Sequence, residues 1–598
     1  MLRQRSRSAA FGALTGVAAG AVVAATVLVS GAAQASPAAK AAVSSGGISV
    51  AYYDQWSIYQ NAFYLKDLVS SGEINHISYL VYDFENINPT SFQCFEAEHG
   101  VDQDPAGETD PNAGDGAGDV DADYGTPFSA ANAVNGTADV SGQLAGNFHQ
   151  LQELKAAYPN LKILLSLGGW TYSKYFSDAA ASATSRTNFV SSCVNMFLKG
   201  NLPPDADYGV TPAAGAIAGL FDGFDIDWEY PGSSGGHVGN HTSPADTANY
   251  TALLAEFRSE LNTLQQSTGH TYYLSAALPS GEDKIGLVQT NQIAQYLTFG
   301  DLMSYDMHVA WNPTGPSNGP TNFQNPIFTD PGDPSSAVAP GSEKYSISNA
   351  VDDWVNGSPA YNIPGGFPAS KLTMGIPFYY RGWTGVANAG VNGLFQPASG
   401  AATGAADSGN VPGIHMYKEL AGVVDNPADT FYDPVAEAAY FYDGSNWWTG
   451  ESAQSIQADI DYMHCQGMGG VMMFSLYDLD PSNPVLFNDV ANSLGTAPSS
   501  CTTPSPSASP TTSPTSSPST SPSPSTSPSQ SPSTSPSPSP SSTGGGTCSP
   551  AWNANTSYVP GDLVSYNGVN YTSEWWSTGV TPGSAIAWNI WKSDGACT

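Results

Sequence analysis

Positive charge is scarce in this sequence. Its 598 residues include 17 Lys and Arg against 52 Asp and Glu, a formal net charge of -35. A surface this negative repels phosphate backbones and anionic lipid, which argues against nucleic acid or a membrane surface as a partner. A neutral polymer such as a polysaccharide suits it, as does solubility in an extracellular setting. Cysteine is also scarce, with six in all: Cys94, Cys193, Cys465, Cys501, Cys548 and Cys597. No pair has metal-ligand spacing, and an even count in an exported chain allows disulfides. Cys548 and Cys597 bracket the last segment and are expected to staple it, whereas the pairing of the other four cannot be read from the sequence. The long apolar run at the N-terminus is a special case. Residues 1–35 hold Arg3, Arg5 and Arg7, an Ala/Val/Leu stretch and Ala33-Gln34-Ala35, the layout of a secretory signal with an AxA cleavage site. The run is Ala- and Gly-rich and has no stop-transfer flank, so it fits export better than a membrane anchor and is set apart from the fold.

Composition divides the rest. Residues 502–547 are almost only Ser, Pro and Thr, which bury no core and form an extended, semi-rigid spacer. The spacer separates a large domain, 46–501, from a small one, 548–598. In the large domain, short apolar, β-branched runs recur at 48–53, 77–84, 162–167, 221–229, 272–278, 302–307, 372–379 and 470–476, with helix-like stretches such as 249–266 and 453–464 between several of them. Eight strands alternating with helices predict an α/β fold, a (β/α)8 TIM barrel with insertions. Two stretches break the pattern, about 86–147 and about 384–440, the second falling between strands 7 and 8. Each is expected to fold as a wall of the cleft, because structureless loops of that length are uncommon. Asp119, Asp121 and Asp123 alternate in the first and could hold a calcium ion, although acidic Gly-rich loops are usually just solvated.

The run Phe221 to Pro231, FDGFDIDWEYP, carries the chemistry. In a strand, Asp225, Asp227 and Glu229 project to one face while Phe224, Ile226 and Trp228 project to the other. Three crowded carboxyls are unfavourable unless at least one keeps a proton, and a carboxyl kept neutral near pH 7 is what a general acid requires. A calcium loop of the EF-hand type would want Gly where this run is bulky, and a solvated turn would not need alternating Phe, Ile and Trp. The segment reads as a catalytic strand. In a barrel, active sites gather at the carboxyl ends of strands, and Glu229 ends its run.

The run resembles the DxxDxDxE signature of family 18 glycoside hydrolases, the chitinases and their relatives. Ser166-Leu167-Gly168-Gly169-Trp170 resembles the family's SxGG strand, Met303-Ser304-Tyr305-Asp306 its MxYD strand, and Gly375-Ile376-Pro377-Phe378-Tyr379 its seventh strand. Four matches in order make chance a poor explanation. The resemblance implies a catalytic set of Glu229, Asp227, Asp225 and Tyr305. Glu229 protonates the leaving oxygen, and the substrate's own 2-acetamido oxygen attacks the anomeric carbon, so no second carboxylate acts as nucleophile. Asp227 accepts the acetamido N–H and shares a proton with Glu229, while Tyr305 holds the acetamido oxygen. Asp225 sits deeper, balanced by Tyr52 and Ser166, and Asp222 is read as packing. Substrate-binding candidates are Tyr52, Trp170, Met303, Asp306, Tyr379, Arg381 and Phe474. Trp56, Trp311 and Trp383, at or beyond strand ends, are further rings that could stack on sugars. Family members commonly carry Trp where this chain has Phe474, a smaller floor without the indole N–H.

Residues 548–598 are dense in aromatics, more than so small a segment buries, and their short strands and Gly turns fit a compact β domain. AWNANTSYVPGDLVSYNGVNYTSEWW resembles the small chitin-binding modules attached to many chitinases, with Trp575, Trp576 and Trp588 as candidates for the sugar-binding face. The two resemblances together imply a secreted, monomeric chitinase that acts on chitin and N-acetylglucosamine oligomers, with retention and without a metal or nucleotide cofactor. An endo-β-N-acetylglucosaminidase acting on glycoproteins, which would share the site, and a lectin on the same barrel are the alternatives. The chitin-type module argues against the first and the presence of Glu229 against the second.

Overall fold

A computed structural model describes residues 46–96, 111–112, 114–116, 118–310, 320–498, 501, 548–553, 557–558, 563–573, 577–578, 581–583 and 591–597. The expected signal (1–35), the spacer (502–547), Trp311, Trp575, Trp576 and Trp588 lie outside the described residues.

Eight strands form the large domain's centre: β1 (Ile48–Asp54), β2 (Tyr79–Ile87), β3 (Lys162–Gly168), β4 (Gly223–Asp227), β5 (Tyr273–Leu278), β6 (Gly300–Leu302), β7 (Leu372–Pro377) and β8 (Gly470–Phe474). Each pairs in parallel with the next, and β8 returns to β1 with Ile48 opposite Gly470, so the sheet closes into a barrel. The expected (β/α)8 fold is the observed one. Alternation sorts the side chains. Val50, Tyr52, Val81, Leu164 and Met472 pack together as one cluster, while Ala51, Tyr53, Leu80, Ile163, Leu165, Phe224 and Ile226 join the larger core shared with the helices. Burying one such large apolar side chain contributes about 1.5–3 kcal/mol. This packing supplies most of the driving force for closure.

Several strands end earlier than their apolar runs, and at two of them hydrogen bonds show why. β6 stops at Leu302 because the Ser304 backbone N–H turns back to donate to the Leu302 carbonyl at 2.8 Å. The Ser304 hydroxyl then donates to the Gly375 carbonyl at 2.9 Å and accepts from the Gly375 N–H at 2.8 Å. A side chain replaces the ladder there, and Met303 to Asp306 are freed to shape the barrel rim. β4 stops at Asp227, since the Glu229 N–H donates to the Ser173 hydroxyl instead of a neighbouring strand.

The insertion before β8 is a six-stranded antiparallel sheet built from Tyr379–Thr384, Gly400–Ala401, Ile414–Met416, Thr430–Asp433, Ala438–Tyr442 and Trp447–Thr449. It has its own core of Phe323, Trp383, Val386, Tyr440, Tyr442 and Trp447. The earlier insertion contributes a two-residue strand, Cys94–Phe95, antiparallel to the end of β2, and a wide helical turn at Asp121–Gly125. Disulfides join Cys94 to Cys193 and Cys465 to Cys501. In the small domain, Leu563–Tyr566, Val569–Ser573 and Trp591–Ala596 form an antiparallel sheet, and Cys548 pairs with Cys597. The hairpin turns on Asn567 and Gly568, both at positive φ, as a two-residue turn that follows the strand twist requires.

Candidate active site

β4 delivers its carboxyls to the barrel interior because its other face is taken. Phe224 meets Phe257 of helix Asp246–Thr268 with ring centroids 5.4 Å apart, and Trp228 stacks on Phe176 at 5.3 Å. Asp225 is fully buried and level with Ser166 on β3 and Ser275 on β5. It accepts hydrogen bonds from both hydroxyls at 2.7 Å, and from the Tyr52 hydroxyl at 2.9 Å across the interior. Burial pushes its pKa up, and the three hydroxyls oppose that rise.

Asp227 is 4% exposed, and its Oδ1 is buried without a hydrogen-bond partner. Burial, then the charges of Glu229, Asp225 and Asp301, push its pKa well above the carboxylate range. Glu229 follows at the rim, 8% exposed. Its backbone is fixed on both sides: the N–H donates to Ser173 Oγ at 2.8 Å, and the carbonyl accepts from Asn240 Nδ2 at 2.9 Å. Ser173 Oγ also donates to the Asp227 carbonyl at 3.0 Å, so one hydroxyl clamps the segment that carries both acids. Asp225 and Asp227 lie together in this buried row, and burial, with the crowding of like charge beside it, favours a proton on Asp227.

Aromatic rings face this row. Phe474 lies 5.6 Å from Tyr52, 6.4 Å from Tyr305 and 6.4 Å from Tyr379, centroid to centroid. The Tyr305 hydroxyl points to Met472 Sδ at 3.8 Å, and burial, then the charges of Asp227, Asp306 and Glu229, push its phenol up. Tyr305 therefore remains a neutral donor. Asp306 adopts φ 58, in the left-handed region that Asp tolerates. It receives a bidentate pair from Arg381, Nε to Oδ1 at 2.6 Å and Nη2 to Oδ2 at 2.7 Å, together with the Tyr379 hydroxyl at 2.9 Å. The Arg381 guanidinium also lies over the Tyr379 ring at 5.1 Å. Arg381, a substrate-binding candidate in the sequence, thus pairs with an acid, Asp306.

Trp170 sits half-buried on the short helix Gly169–Tyr172 directly after β3, 5.8 Å from the His237 ring. Trp56 is half-buried beside Phe84, and Met303 is half-buried with its carbonyl accepting from Ser280 Oγ at 2.6 Å. Trp383 does not belong with them. At 1% exposure it packs against Trp447 inside the insertion's core, because the strand after β7 turns that indole away from the barrel. Asp222 lies at the opposite end of β4, held by Lys155 at 2.8 Å and His270 at 2.8 Å. Asp119, Asp121 and Asp123 do not converge. Asp119 accepts from the Tyr59 hydroxyl and the Ala122 N–H, while Asp123 turns inward to Gln55 and Tyr82.

Four contributors escaped the sequence reading: Ser275, Ser173, Asn240 and Asp301. The register of β5 against β4 would have located Ser275. Ser173 and Asn240 act through loops with no pattern to read, and Asp301 lies one residue before the apolar run at 302–307 in which the sixth strand was sought. Asp301 is fully buried on β6, accepts from Thr373, and is pushed up by burial and then by Asp225.

Comparison with known proteins agrees with this geometry. Residues 48–480 match the family model for glycosyl hydrolases family 18, and residues 551–592 match carbohydrate-binding module family 5/12. The chain is 30% identical over 477 residues to chitinase A1 of Niallia circulans, covering 76% of this chain and 60% of that protein. It is 31% identical over 431 residues to chitinase C of Streptomyces lividans, covering 71% and 56%. The chain thus spans little more than half the length of these two curated relatives. The catalytic domain of a psychrophilic chitinase B from Arthrobacter TAD20 superposes with a TM-score of 0.66 at 36% identity, covering 75% of this chain and 95% of that one. With the barrel, the acidic row on its fourth strand and a family match over most of the described residues, this chain belongs to the glycosyl hydrolases of family 18.

Proposed function

We propose that this protein is a secreted, monomeric chitinase that hydrolyses β-1,4-N-acetylglucosamine linkages with retention, using the substrate's acetamido group as the nucleophile. The observation that carries the reading is the buried row Asp225, Asp227 and Glu229, in which Asp227 keeps one oxygen without a partner on the inner face of the barrel. Glu229 donates a proton to the glycosidic oxygen as that bond to the anomeric carbon breaks. The acetamido oxygen attacks the same carbon, forming an oxazolinium whose positive charge Asp227 stabilises. The unpartnered Oδ1 is the natural acceptor for the acetamido N–H, which orients the attacking oxygen. Tyr305 donates to that oxygen, and Asp225, locked by three hydroxyls, fixes the electrostatic base of the row. Glu229, now ionised, then takes a proton from water as it opens the ring from the face the leaving group left. Two inversions give retention.

The relatives named as chitinases and the match at 551–592 favour chitin over a glycoprotein glycan. The small domain is proposed to hold the enzyme on insoluble polymer through Trp575, Trp576 and Trp588, with 502–547 as its tether and 1–35 as an export signal. Three disulfides suit an oxidising compartment.

Glu229→Gln tests the assignment. The variant keeps the shape and loses the transferable proton, so its turnover of chitin oligomers should fall by roughly 10³-fold or more while its melting temperature barely moves. Undiminished cleavage would remove Glu229 from the mechanism.

A further inference from the structure

Outside the catalytic row, one cluster of acids lacks any partner adequate to its charge. Glu85 on β2, Glu96 just past the hairpin strand Cys94–Phe95, and Asp123 in the turn Asp121–Gly125 each aim a carboxylate oxygen at a common point, these atoms all lying within 4.8 Å of one another. Glu85 is 2% exposed, and its Oε1 has no hydrogen-bond partner; neither does either oxygen of Glu96. Asp123 is fully buried, with its oxygens oriented by Gln55 Nε2 at 3.1 Å and by the Tyr82 hydroxyl. Among the described residues, no Lys or Arg pairs with any of the three.

We propose that Glu85, Glu96 and Asp123 form an oxygen-only site for one hard divalent cation, calcium, which fastens the 86–147 insertion to the barrel wall. Shared protons can bridge Asp123 to Glu85 and to Glu96, whereas a divalent cation satisfies all three carboxylates with one ion. Calcium takes carboxylate oxygens at about 2.3–2.6 Å, so ligands on opposite sides stand roughly 5 Å apart, which the observed spacing matches. The three ligands come from three elements, the barrel strand, its hairpin partner and the insertion turn, so a bound ion would cross-link them close to the Cys94–Cys193 disulfide. Burial and mutual repulsion push Glu85 and Glu96 up, and Asp123 to about 7. The ion would be structural and remote from the proton transfer assigned to Glu229.

The test is calorimetric titration of the full chain with calcium chloride at pH 7 after stripping with chelator. The expected result is one equivalent bound per chain, a higher melting temperature in calcium than in chelator, and affinity weakened about tenfold or more in Glu96→Gln, whose half-buried position tolerates the change. Absence of stoichiometric binding by the wild-type chain overturns the proposal, whatever the variant does. So does equal affinity in a folded Glu96→Gln protein.

Discussion

At Asp306 and Arg381, one pair sets the position of the Tyr379 ring. The guanidinium grips both carboxylate oxygens and lies over Tyr379, whose hydroxyl closes the triangle on Asp306. Lys keeps the charge but has neither the fork nor the plane. Arg381→Lys should therefore lower kcat/KM on soluble oligomers by about tenfold and leave the melting temperature within a degree or two, since Asp306 is substantially exposed. Steady-state kinetics beside a thermal scan check both halves, and unchanged kcat/KM would relieve the pair of any positioning role. The sequence made the acidic row legible at this scale, because the period of two in FDIDWE assigns faces without further information. The third hydroxyl on Asp225 was not legible, since Ser275 matters only through the register of a neighbouring strand. Trp383 misled for a related reason: its distance from a strand end was readable, but the choice between the barrel and a second core was not.

β3 shows why a motif can be backbone geometry before it is chemistry. Gly168 has φ +108, and a Cβ there would stand 2.1 Å from the Asp227 carbonyl oxygen; at Gly169, φ +76, it would meet the Phe84 ring at 2.7 Å. The paired glycines let the end of β3 press against the strand that carries the acids and against the end of β2. Gly168→Ala must therefore strain its own dihedral and push the Asp227 backbone away. The expected loss is about 2 kcal/mol or more in denaturant unfolding, with activity falling further than stability alone explains. A variant of native stability and activity would mean that β3 and β4 have slack. The eight barrel strands were legible as elements because each is a short, β-branched, nearly continuous apolar run, the pattern of a sheet covered on both faces. The sheet of the second insertion was not, because its strands at 400–401, 414–416 and 447–449 are two or three residues long and carry no measurable period. The ends of β4 and β6 were missed because side-chain hydroxyls, not neighbouring strands, take over the backbone bonds there.

On the scale of the whole molecule, an excess of acid meets extensive burial. Burial is the first cause that pushes Glu73, Asp123, Glu282, Asp353, Glu451 and Asp478 each to about 7. In the unfolded chain these groups titrate near 4, so the folded state binds the extra protons. Their stabilising contribution is complete below about pH 4 and is lost as pH rises through about 7. In chelator, the melting temperature should therefore decline from about pH 5 to pH 7, steepest between about pH 5 and 6 and levelling off above about 7, and a flat or rising profile by calorimetry would contradict the burial of neutral acids. The net charge of -35 pulls in the same direction, since every proton lost adds to self-repulsion. At this scale the family was legible from four short motifs in order, whereas the Ser/Pro/Thr stretch that suggested a modular chain lies outside the described residues.

The central claim is that the sugar's own acetamido oxygen, oriented by Asp227 and released by protonation from Glu229, carries the anomeric centre through two inversions. Time-resolved proton NMR of freshly cleaved chitin oligomers reads that stereochemistry directly, before mutarotation erases it. New reducing ends should appear first as the β anomer. New ends appearing first as the α anomer would mean that water attacks directly, and the acetamido route would be wrong.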